Sequence, residues 1–381
     1  MRLPILPDIS SRDGSSTKNG RMYNVLGEKR PNGERFAAVR PGLTEATTLS
    51  GIGKGLICWN GTLISVYGTT AYEKAVPDYT WTATTLPSSA EWRGITENGT
   101  IFCAVAKGPS NKAATSSDGI SWTARTLPSS STWQAIANNG NVFCTLGYGT
   151  NKAATSSDGI TWGAVTLPLT GNWSAIANHG TLFCAVNSST TNIAIISSDD
   201  GANWTQVTLP FSASWQNVFS NGTVLCAIAL STDQCAVSTD GTNWVSVTLP
   251  ITSDWFGLTA KGTRFLATGF ATDIAAYSDD GYTWHLTILP ASGVYHAVTA
   301  STDTFCVISR STSTGAVSTD GTSWTTITLP SSQYWDVVVA LGNVFCTLGA
   351  FTAGAAIMTP IFYDSIGTVS GTFFDFAQSP T

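Results

Sequence analysis

Residues 115–122 read Thr-Ser-Ser-Asp-Gly-Ile-Ser-Trp, and Leu127-Pro128 follows five residues after the tryptophan. The same unit recurs almost to the end of the chain. Its tryptophans are Trp81, Trp122, Trp162, Trp204, Trp244, Trp284 and Trp324, spaced 40 to 42 residues apart, and each is followed by Leu-Pro. Six of them are preceded by an Asp-Gly pair: Asp118-Gly119, Asp158-Gly159, Asp200-Gly201, Asp240-Gly241, Asp280-Gly281 and Asp320-Gly321. Such pairs accept the positive φ that tight hairpin turns require. A second ladder, Trp92, Trp133, Trp173, Trp215, Trp255, Tyr295 and Trp335, falls 11 residues later, and a third, Cys103, Cys144, Cys184, Cys226, Leu266, Cys306 and Cys346, falls 11 further on.

Turn signals divide each unit into four short extended runs, the second of them apolar nearly throughout, as in Val142-Phe-Cys-Thr-Leu146. A strand covered on both faces has that composition. A four-stranded meander cannot bury both faces alone, whereas meanders packed radially can. The predicted fold class is therefore all-β, a β-propeller of four-stranded blades. Residues 53–67 begin one unit, six complete units follow, and the last, from Trp335, lacks an outer strand, for which residues 35–42 are the candidate. Eight blades are expected, with seven as the alternative, closed by N- and C-terminal strands. The expected organisation is an extended arm over 1–34, the propeller over 35–358 and a tail over 359–381.

The turns resemble the Asp-box of sialidase-like propellers, Ser-x-Asp-x-Gly-x-Thr-Trp, and residues 197–204 fit that spacing best. The resemblance implies a structural role, with aspartate and serine folded back onto the turn and the tryptophan beneath it. The turn residues Asp118, Gly119 and Trp122, with Asp158, Gly159, Trp162, Asp200, Gly201, Trp204, Asp240, Gly241, Trp244, Asp280, Gly281, Trp284, Asp320, Gly321 and Trp324, are expected to hold the fold and not to catalyse.

Six of the eight cysteines share one mid-strand site in different units, where they read as small buried apolar groups and not as disulfide partners. Three scattered histidines show no metal-ligand spacing, and no cofactor is expected. No apolar run reaches the length of a membrane span, and the start, Met1-Arg-Leu-Pro-Ile-Leu-Pro, is too short and proline-broken for a signal peptide. No glutamate follows Glu97, and the ring keeps only Arg93, Arg125, Arg264 and Arg310. Because the repeating aspartates are equivalent from unit to unit, whereas an active site breaks symmetry, no enzymatic activity is expected.

Charge is uneven. Residues 1–40 hold eight Lys/Arg against four acids, and the remainder ten against twenty. Asn24, Arg40-Pro-Gly-Leu43, Gly53-Lys-Gly55 and the Leu-Ile-x-Val-Tyr67 run resemble the opening of tail hub or nozzle proteins of short-tailed bacteriophages. That resemblance implies a structural virion protein assembled in the host cytoplasm, a hexameric ring below a portal or adaptor. It would adjoin tail-tip or fibre proteins and pass DNA without binding it specifically, since an acidic ring has little to offer phosphate. Arg12, Lys18, Arg21, Lys29 and Arg30 are the candidate docking residues of the arm. The alternative is a carbohydrate- or receptor-binding adhesin, with Tyr148, Phe211, Phe270 and Tyr295 as candidate loop aromatics.

Overall fold

The computed structural model describes residues 79–358, together with the strands Val25–Lys29, Arg35–Val39, Gly53–Trp59, Thr62–Tyr67, Thr70–Glu73 and Gly367–Thr368. The chain divides into two compact units, Met1–Asp78 with Ile361–Thr381, and Tyr79–Pro360. In the first, Val25–Lys29 pairs antiparallel with Arg35–Val39, while Gly53–Trp59, Thr62–Tyr67, Thr70–Glu73 and Gly367–Thr368 form one four-stranded sheet. Arg12, Lys18, Arg21 and Arg30 of the expected arm, and the expected tail apart from Gly367–Thr368, lie outside the described residues, as does the side chain of Lys29.

Five blade sheets build the second unit. Three are four-stranded meanders beginning at Trp215, Trp255 and Tyr295, and two are six-stranded. The expectation of eight separate blades, or of seven, is corrected to this arrangement. The physical reason is strand continuity. Gly163–His179 and Trp81–Glu97 each serve as the outer strand of one repeat and run on through Leu-Pro as the inner strand of the next. Phe143–Ser156 and Val344–Met358 likewise cover two strand positions of a single repeat, with register shifts at the bends. Inner strands still follow one another in a closed circle. Trp81–Glu97, Trp133–Asn138, Gly163–His179, Trp215–Ser220, Trp255–Lys261, Tyr295–Ala300 and Trp335–Leu341 contact in that order, and the last packs back onto the first.

The closing strand is also corrected. Gly354, Ala355, Ala356, Ile357 and Met358 pair with Thr85, Thr84, Ala83, Thr82 and Trp81. Residues 35–39 are already paired with 25–29, so the outer strand of the last repeat comes from the start of the same unit and not from residues 35–42.

Each Asp-Gly turn is held by its own side chains. In the first, Ser116 Oγ donates to Asp118 Oδ1 at 2.9 Å, and Asp118 Oδ1 accepts the backbone N–H groups of Ile120 and Ser121 at 2.8 Å each. Trp122 Nε1 donates to the Gly119 carbonyl at 2.9 Å. These bonds hold the Asp118 carboxyl below the usual aspartate range. At the third turn the acid in that role is Asp199, which accepts from Ser197 Oγ at 2.8 Å and Asn203 N at 2.9 Å, so the assignment of Asp200 is corrected. Asp200 supplies the positive φ of 59° and accepts from Asn139 Nδ2 at 2.8 Å, tying this turn to the preceding repeat. Gly119, at φ 73°, could not carry a side chain, because an added Cβ would lie 2.7 Å from a methyl of Ile357.

The second and third ladders form the core. Trp92, Trp133, Trp173, Trp215, Trp255, Trp335 and Tyr295 are buried, and the ladder cysteines lie among them. The seven cysteines among the described residues are free and fully buried, and burial pushes the Cys103 thiol up to about 12. Thiolate is the reactive form, so these seven are expected to react with a thiol reagent only on unfolding. Fast labelling of the native protein at any of them would contradict this packing. Cys144→Ala is expected to cost about 1 kcal/mol, near the average for one substitution.

Candidate functional site

The repetition breaks down at the end of the inner strands that starts beside the second ladder. The residue immediately after each second-ladder aromatic is half-buried or, at 336, buried, and it differs between most copies. Around the circle it is Arg93, Gln134, Ser174, Gln216, Phe256, His296 and Asp336. The ends of the second strands add Lys107, Tyr148, Ser188 and Arg310 beside it. Register fixes which end of the unit this is. Trp92 pairs with Ala106, whereas Glu97 pairs with Phe102 and Phe102 with Ser116, so Arg93 and Lys107 lie at the end opposite the Asp-Gly turns.

All of these side chains but Ser174 and Asp336 line a cavity of about 320 Å³. Asp336, its side chain wholly buried, sits between two guanidinium groups: Arg310 Nε lies 2.6 Å from Oδ1 and Arg93 Nη1 3.2 Å from Oδ2. Glu91 Oε1 lies 3.0 Å from Arg93 Nε and 3.9 Å from Lys107 Nζ. Beside this cluster, with its Nδ1 3.8 Å from Asp336 Oδ1, His296 stacks on Phe256 with centroids 3.9 Å apart, and Phe270 lies 5.5 Å from the same imidazole. The charged cluster thus runs directly into the aromatic one through His296. His296 Nε2 and Gln134 Oε1 are buried there without a hydrogen-bond partner in the protein.

Potentials in the cavity follow from burial and the arginines. Burial first, then Arg310 and Arg93, bring the His296 imidazole down to about 3, so it is neutral at ordinary pH. Lys107 is lowered by burial and by Arg93. Burial raises the Asp336 carboxyl against the pull of Arg93 and Arg310. Between pH 3 and 6.5 an unfolded chain binds a proton at position 296 that the native chain refuses, so stability falls as pH drops below 6.5. The slope is about 1.4 kcal/mol per pH unit, or about 2 kcal/mol by pH 5. Asp336, which holds its proton more tightly when folded, returns part of this at lower pH. The melting temperature is expected to fall from pH 7 to pH 5 and to fall less in His296→Phe. Parallel curves for the two proteins would contradict the assignment.

Among the described residues no helix is long and apolar enough to cross a membrane, and no group of three or more His, Cys, Asp or Glu side chains is placed to hold a metal ion. No protein-family description and no curated protein sequence matches the chain. Solved structures do match. A streptogramin B lyase superposes with a TM-score of 0.65 at 10% identity, over 74% of this chain and 98% of that one. A catalytically inactive histidine-to-alanine variant of virginiamycin B lyase from Staphylococcus aureus, with quinupristin, gives 0.66 at 12% identity over 74% and 100%. YCF48 bound to a D1 peptide gives 0.60 at 16% identity over 74% and 98%. The chain folds as a β-propeller. At these identities the likeness is one of fold alone.

Of the aromatics singled out in the sequence, the propeller places Tyr148 at the cavity, where Lys107 Nζ lies 5.4 Å from its ring centroid. Phe270 stands in the aromatic cluster, Phe211 packs on Trp215, and Tyr295 is core, its hydroxyl donating to the Ala291 carbonyl at 2.8 Å. The Asp-Gly turns contribute nothing to this cavity. Sequence reasoning missed Arg93, His296, Arg310 and Asp336 as a group, although aligning the position after the second ladder would have found three of them.

Proposed function

We propose that this propeller is a non-enzymatic binding module that takes an anionic ligand in the cavity ringed by Arg93, Lys107 and Arg310. The observation that carries the reading is the charge gathered at the cavity. Three cations, Arg93, Lys107 and Arg310, stand against two anions, Glu91 and Asp336, around a hollow with unpartnered polar atoms. An incoming anion would relieve the excess positive charge and could accept hydrogen bonds from Lys107 and Arg93. Turnover is less well served. The buried carboxylate is committed to two arginines, His296 is stacked and neutral, and burial raises the cysteine thiols, leaving no activated nucleophile among them.

Titration calorimetry with glucuronate tests this. Binding is expected to weaken about tenfold, roughly 1.4 kcal/mol, in Lys107→Gln, and to weaken with added salt. Unchanged affinity in that variant would count against the reading.

The tail-hub reading is a second proposal, favoured by the basic first 40 residues and the acid-rich remainder. It expects a ring, hexameric by the resemblance, in native mass measurement, located in a virion tail. A monomer at every concentration, together with normal tails assembled without residues 1–34, would remove it.

A further inference from the structure

A second pocket of about 430 Å³ adjoins the first, and Ser214 lines both. Ser214 Oγ donates to the Ser188 carbonyl at 2.7 Å and accepts from Gln216 Nε2 at 3.0 Å, which fixes the wall between the two hollows. The second pocket differs in chemistry. Its lining has hydroxyls from Thr190, Ser212, Ser231 and Thr232, an aromatic face from Phe211, and no charged side chain. Phe211 is held by Trp215, 4.8 Å between ring centroids, and Ser231 by Asp254 Oδ1, which accepts from its N and Oγ at 2.8 Å each.

We infer that the ligand is an acidic oligosaccharide, its terminal acid sugar in the cavity beside Arg93 and Lys107 and the adjoining neutral sugar in the pocket between Phe211 and Ser231. This rests on the anion-binding reading above. A neutral pyranose presents hydroxyl edges and an apolar ring face, the two surfaces that this pocket supplies. A run of acidic residues in a peptide would instead place a second carboxylate where no cation meets it, at a desolvation cost. The cavity suits the terminal sugar, since its cations meet the carboxylate while Phe256 offers an aromatic surface to the ring.

Calorimetry on the full chain with glucuronosyl-β-1,3-galactose, free glucuronate, lactose and the acidic peptide acetyl-Glu-Glu-Glu-amide separates the possibilities. The disaccharide is expected to bind at least tenfold more tightly than glucuronate, and lactose far more weakly than either. Phe211→Ala should erase the disaccharide's advantage and leave glucuronate affinity unchanged. Ser212→Trp, at an exposed position, should do the same by filling the pocket, and it keeps the test open if the phenylalanine variant folds poorly. Equal affinities for disaccharide and glucuronate would overturn the second subsite while leaving the anion site standing. Tighter binding of the peptide than of the disaccharide would overturn the saccharide assignment, and no binding of glucuronate would overturn both.

Discussion

A chain lacking residues 1–78 is expected to melt cooperatively near the temperature of the full protein, and one lacking residues 1–90 to lose that transition. The first cut falls at the boundary between the two compact units. The second removes the strand that pairs with residues 354–358 and with it Trp81 and Leu86, both buried. Burial of two such side chains is worth about 3 to 6 kcal/mol, a large part of the 5 to 15 kcal/mol typical of a domain. The loss also leaves residues 352–358 as an unpaired sheet edge. Circular dichroism melts of the two truncations decide the matter, and matching melting temperatures would show that closure lies elsewhere.

Asp336→Ala is expected to be the most damaging single substitution in the ring that removes no apolar packing. It leaves Arg93 and Arg310 facing each other, partly buried, without the carboxylate that lies 3.2 and 2.6 Å from them. Breaking a buried pair by removing one partner costs about 3 to 5 kcal/mol, on the order of 10 °C in melting temperature for a unit of this size. The double variant Asp336→Ala with Arg310→Met should recover part of the loss, which a merely steric role for the aspartate would not. Additive losses in the double variant would show that the charges are not coupled.

How much of this was legible in the sequence depends on which physical regularity carried it. The repeat at 40 to 42 residues, the Asp-Gly turns and the buried ladders are set by local chemistry, and all-β four-stranded repeats followed from them. The sheet count did not. Whether a strand breaks at Leu-Pro or runs on, as it does through Pro87 in Trp81–Glu97, depends on the angle to the next repeat, which no local residue states. The closing strand was misplaced because Arg35–Val39 and residues 81–86 both read as strands ending near a proline, and only pairing partners distinguish them. At the third turn, two adjacent aspartates compete for one role, and hydrogen bonding chose Asp199. The candidate site was hidden for a different reason. Arg93 and Asp336 come from opposite ends of the propeller's sequence, and a search for what the copies share overlooks the positions at which they disagree.

That juxtaposition makes the cavity straddle the seam of the circle. Asp336 belongs to the last repeat and Arg93 to the first, and both lie in the six-stranded sheet that also contains the closing strand. A ligand held there spans the place where the ring would first part, so its binding free energy adds to the latch and not only to the local loops. Occupancy and mechanical integrity are then linked, and a propeller carrying its ligand should resist being pulled open at its ends better than an empty one.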